Sequence, residues 1–90
     1  MKLHNKSAYN RIYNSFTADF IDTFCKHKLN GHDTKNALQA AEIAVQMNLT
    51  EKLIANSAER PQILLAYRNL RKDAKIIQKA LKYYHRMKTQ

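Results

Sequence analysis

One glycine and one proline in 90 residues leave this chain few ways to turn. Sheets and loop-rich folds spend Gly, Pro, Asn and Asp at their reversals, because tight turns demand positive or fixed φ. With only Gly31 and Pro61 to draw on, long helices joined by short connections are the expected solution. Ala, Leu, Lys, Gln and Arg are plentiful, and all favour helix. The length suits one domain and not two, and 44% hydrophobic residues supply a core. Residues 1–90 are therefore read as a single all-α domain. Its expected architecture is a compact bundle of three to four helices, the first and last being the long members.

Periodicity locates the elements. Tyr9, Ile12, Tyr13, Phe16, Phe20 and Phe24 recur at helical spacings, which at about 100° per residue gathers them into one stripe. The spacing predicts a helix from Ser7, as N-cap, to Leu29. Asn30-Gly31 stops it, because Gly accepts the left-handed backbone that closes many helices. A second helix is expected over Lys35 to Met47, capped by Asp33 or Thr34, with Ala37, Leu38, Ala41, Ile43, Ala44 and Val45 inward. Asn48 is the expected break, after which Thr50 caps a short third helix over Glu51 to Ser57. Pro61 would lose a hydrogen bond inside a helix, so the last helix starts beside it. From Gln62 to His85, Ile63, Ala66, Tyr67, Leu70, Ala74, Ile77, Leu81 and Tyr84 form one apolar stripe, with fraying beyond His85.

The net charge of +9 is unevenly placed. Residues 60–90 hold nine Lys and Arg against Asp73 alone, whereas residues 1–59 hold seven basic and six acidic residues. Arg68, Arg71, Lys72, Lys75, Lys79, Lys82 and Arg86 fall almost opposite the last helix's apolar stripe. A solvated face normally mixes signs, and like charges on one ridge repel unless an anion neutralises them. The expectation is an accessory or regulatory protein that meets the phosphates of DNA or RNA through this ridge. Lys52, Asn56, Arg60 and Tyr83 are secondary candidates, Tyr83 by stacking. The alternative is a protein-interaction module, such as an inhibitor, immunity or host-modulating protein, docking the same face on an acidic partner surface. Such a face requires one unbroken rod with its cations along a single ridge.

Other constellations weigh less. Gln39 to Ser57 resembles a helix-turn-helix in spacing, but Asn48 stands where such units have Gly, and few good base readers follow it. Two helices joined by a tight turn are the commoner meaning of that pattern. Cys25, His27, His32 and Asp33 lie close in sequence, yet Cys25 and His27 point apart on a helix, and no second Cys or His pair stands at finger spacing. Neither a metal nor another cofactor is expected. Cys25 lacks an oxyanion element or nucleophile elbow, and Gly31 alone builds no phosphate loop, so no catalysis is expected. A lone cysteine fits a reducing compartment, and no apolar run is long enough to span a bilayer. The expected setting is cytoplasmic. A homodimer, where one forms, would use helix one or the Ile63–Leu81 stripe.

Overall fold

The computed structural model describes residues 4–89. In chain order they form α1 (His4–Leu29), α2 (Thr34–Ala55), a single 3-10 turn (Ser57–Glu59), α3 (Arg60–Lys72) and α4 (Lys75–Lys88). The all-α bundle is as expected, but its long members are α1 and α2, at 26 and 22 residues.

α1 is the spine. Ile12, Phe16, Phe20 and Phe24, four residues apart, are buried, and so are Ile21 and Cys25 on a neighbouring arc. Burial on two arcs follows from packing against α2, α3 and α4 at once. Ser7 does not cap α1, which starts at His4. The expected stop is present: Gly31 has φ +94, its N–H reaches Lys28 O at 3.1 Å, and the His32 N–H reaches His27 O at 3.0 Å. These paired bonds satisfy carbonyls that a helix end otherwise leaves bare. Asp33 then caps α2, its carboxylate accepting from the Asn36 N–H at 2.8 Å.

Residues 39–57 form no helix-turn-helix. α2 runs unbroken through Asn48 to Ala55. The Asn48 side-chain amide donates across to α1, to Asp19 Oδ2 at 2.7 Å and Ser15 Oγ at 3.3 Å. These bonds draw the side chain across to α1 and away from its own backbone. Thr50, the expected cap of a third helix, lies inside α2, and its hydroxyl donates back to Gln46 O at 3.2 Å. Ile43, placed inward from the sequence, is exposed, whereas Ala37, Ala41 and Val45 are buried as expected.

The expected last rod is also absent. α3 begins beside Pro61, as anticipated, but ends at Lys72, and Asp73 turns extended with φ −83 and ψ 96. Its carboxylate faces two ways. Oδ2 accepts from the Tyr13 hydroxyl at 3.1 Å, and Oδ1 accepts from the Lys75 N–H at 3.0 Å, at the first turn of α4. Asp favours this role because its short side chain bonds the amides of a starting helix. One turn earlier on α3, the Asn69 amide donates to the Tyr9 hydroxyl at 2.9 Å, and Tyr9 stacks on Tyr13. The elbow resets the buried register. Ile63, Ala66 and Leu70 are followed inward by Ile76 and Ala80, leaving Ala74 and Ile77 exposed. Helix also continues past His85, to Lys88.

The chain goes up α1, down α2 and up again through α3 and α4. Tyr9 meets Asn69, Tyr13 meets Asp73, and the Cys25 thiol donates to Ala80 O, so both segments advance together. α4 thus lies beside the later half of α1.

Candidate functional site

Nine Lys and Arg side chains, from Arg60 to Lys88, are exposed. The only ion pair among the described residues, Arg11 Nη2 to Glu59 Oε2 at 2.8 Å, uses none of them. The elbow divides them between two helix axes: Arg60, Arg68, Arg71 and Lys72 belong to α3, the rest to α4. The continuous ridge anticipated from the sequence is therefore corrected to two patches.

The α4 patch keeps a ridge's geometry. Lys75, Lys79, Lys82 and Arg86 step by four, three and four residues, so at about 100° per residue they share an arc roughly 60° wide. That arc lies on one flank of the buried Ile76–Ala80 side, with Ile77 and Leu81 on the other. The ridge runs for about 16 Å at 1.5 Å per residue. Tyr83 borders it as expected: the residue is 45% exposed, and the Arg86 guanidinium lies 5.7 Å from the ring centroid. Lys88 sits on the opposite flank, its ammonium 5.9 Å from the Tyr84 ring.

The α3 patch is differently shaped. Arg68, Arg71, Lys72 and Tyr67 frame a shallow depression of about 370 Å³, and the Arg71 guanidinium lies 5.8 Å from the Tyr67 ring. The other secondary candidates do not join either patch. Lys52 is half-buried with its ammonium 5.9 Å from the Phe16 ring, Asn56 closes α2, and Arg60 opens α3 next to Glu59. All three sit by the earlier half of α1, away from the α4 ridge.

Sequence reasoning missed a groove. α2 and the elbow leave a cavity of about 340 Å³ between them, lined by Phe20, Leu38, Val45, Tyr67, Leu70, Ile76 and Ile77, with Glu42, Arg71 and Lys72 also in its wall. It lies where the chain bends at Asp73, and the signal for the bend in sequence is Asp73 itself, the lone acid in a basic segment.

The remaining candidates offer little chemistry. Cys25 is buried, its thiol donates to Ala80 O at 3.6 Å, and burial, with a lesser push from Asp22, raises its pKa. A thiol held protonated is a poor nucleophile. The His27 and His32 rings meet edge-on at 5.0 Å at the α1 stop, and His27 Nδ1 pairs with Thr23 O at 3.0 Å. Among the described residues no three His, Cys, Asp or Glu converge as metal ligands do. Nor, among them, is any helix long and apolar enough to cross a membrane. Tyr13 is the most perturbed group, raised to about 12 by burial first and then by the Asp73 carboxylate it bonds. Its role is structural. Comparison with protein-family models, with curated proteins and with solved structures finds no match to this chain.

Proposed function

We propose that the protein is a small nucleic-acid-binding domain whose principal phosphate contacts are Lys75, Lys79, Lys82 and Arg86. With the expected rod broken at Asp73, the observation that carries this reading is the arrangement of the α4 cations alone: four exposed side chains, none of them ion-paired among the described residues, in register on one flank of the buried Ile76–Ala80 side. Held so close, they repel one another, and a polyanion relieves that repulsion. Duplex DNA carries one charge per about 1.7 Å of axis, so a ridge this long passes roughly ten phosphates. Tyr83, exposed at the edge, adds a surface on which an unpaired base stacks. The α3 patch stands on a second axis and adds affinity where the nucleic acid curves around the elbow.

Binding then weakens with salt by counterion release, with a log–log slope of about −4 for four phosphates on a duplex. A slope of about −6 signals that Arg68, Arg71 and Lys72 also reach phosphates. Gel shifts titrated against salt on duplex DNA, single strands and RNA read both the slope and the preferred form. The double variant Lys75→Glu with Lys79→Glu abolishes the shift and keeps helicity, because both side chains are exposed. Undiminished binding by that variant overturns the proposal.

A second reading rests on the groove. An apolar cleft beside Arg71 and Lys72 is what an acidic protein partner with a protruding apolar side chain would use. Absence of any shift with nucleic acid, together with a partner whose capture is lost on Ile77→Asp, favours it.

A further inference from the structure

We infer that the outer face of α2 is a self-association surface that receives a second copy of this chain. A helix in a small bundle normally carries one apolar stripe, and a helix apolar on both sides is covered on both. α2 is apolar on both sides. Ala37, Ala41 and Val45 are buried against the bundle. Ala40, Ile43, Met47, Thr50 and Ile54 follow at alternating spacings of three and four, which at about 100° per residue centres them on the far side. There Ile43 is 56%, Met47 61% and Ile54 80% exposed. These spacings are the a and d positions of a two-helix seam.

Charge decides the occupant. The chain carries +9, so self-contact through α3 or α4 would set cations against cations. α2 instead balances Lys35 and Lys52 against Glu42 and Glu51, and its outer stripe carries no charge. It is a long surface on which two such molecules approach without mutual repulsion. The stripe is also self-complementary. Antiparallel pairing about a twofold between Asn48 and Leu49 sets Ile43 against Ile54 of the second copy and Met47 against its Thr50. It places Gln46 beside Glu51 across the seam, so no like charges meet. One two-helix seam is smaller than the roughly 800 Å² per partner of a standard interface, so the dimer is reversible. The inference stands apart from nucleic-acid binding, since α2 holds neither basic patch.

Sedimentation equilibrium of the full chain, from about 1 μM to 1 mM, tests it. The mass rises toward twice that of the monomer, and added salt strengthens the dimer by screening its net charge, the opposite of its effect on phosphate contacts. Met47→Glu and Ile54→Glu each weaken dimerisation by at least about tenfold, with circular dichroism unchanged because both side chains are exposed. Lys79→Glu does not weaken it. A chain that stays monomeric at the highest concentration overturns the inference, as does a dimer that both Glu variants leave intact. A monomer that shifts DNA or RNA sinks this inference alone, and a dimer that shifts neither sinks the phosphate-contact proposal alone.

Discussion

The middle of α2 and the elbow between α3 and α4 turn the same kind of residue toward α1 and respond in opposite ways. Asn48 sits in an unbroken helix, and Asp73 ends one. Both have short polar side chains that compete for nearby backbone groups. The difference lies in what α1 holds out to each. Facing Asn48 are two acceptors, Ser15 and Asp19, which occupy its amide, and the backbone keeps its ladder. Facing Asp73 is one donor, the Tyr13 hydroxyl, which takes a single carboxylate oxygen. The other oxygen is left for the Lys75 N–H, and a new helix starts there. Asn48 is drawn across to α1 through its NH2, a donor that the bare N–H groups of a starting helix cannot use, whereas Asp73 brings a second carboxylate oxygen that accepts from the Lys75 N–H.

The hardest blow to that contrast is a proline in the continuous helix. Leu49→Pro removes a ladder bond and collides with the preceding turn, costing about 3 kcal/mol or more beyond a Leu49→Ala control. Urea unfolding followed by circular dichroism measures it. A difference under about 1 kcal/mol would mean that α2 is already parted at Asn48.

Removing the breaker comes next. Asp73→Ala strips a charge-assisted bond from Tyr13 and a cap from α4, a loss of about 2 kcal/mol. Asn48→Ala costs less, about 1 kcal/mol, because alanine's better helix propensity offsets part of the lost bonds. If Asn48→Ala proved the more damaging, the capping role of the second Asp73 oxygen would fail as the source of the contrast.

These partners show why part of the fold could be read from sequence and part could not. The aromatic stripe of α1, the Gly31 stop and the Pro61 start are local: each residue type has few other uses. The exposure of the basic residues was equally legible, since unpaired charges stay in water. Asn48 and Asp73 were not, because their fates are set by residues 29 to 60 positions away. The elbow also resets which residues are buried beyond it. Helical spacing continued past residue 73 buries Ala74 and Ile77, whereas the bend buries Ile76 and Ala80 and opens the groove. The seven-membered basic ridge was lost at the same place, and its four α4 members kept their register because they lie beyond the bend.

The Tyr13–Asp73 bond also gives the elbow a pH signature. Tyr13 ionises at about 12 in the folded protein against an ordinary 10. The group's stabilising contribution is therefore whole below pH 10 and is lost as pH climbs toward 12, because the unfolded chain releases the proton first. Tyr13→Phe costs about 1 kcal/mol at neutral pH and flattens the decline over that alkaline window. Denaturation midpoints of both proteins at pH 9 and 11.5 decide it, and parallel declines would sever the link between Tyr13 and the bend.

The smallest expected effect is the most discriminating. Ala74→Pro puts a helix breaker where the chain already breaks. Ala74 has φ −63, close to the roughly −65° that the ring enforces, and Asp73, with ψ 96, already has the extended backbone that a following proline favours. The side chain is exposed, so the ring meets solvent. Stability should stay within about 0.5 kcal/mol of wild type, or rise slightly through a stiffer unfolded chain. The same variant bears on function, because it forbids α3 and α4 from fusing. If nucleic acid binds the bent form, the salt slope of Ala74→Pro equals that of the wild type. A fall from about −6 to about −4 would mean that binding straightens the elbow and gathers both patches onto one axis, and that the bend is the resting state of a longer ridge.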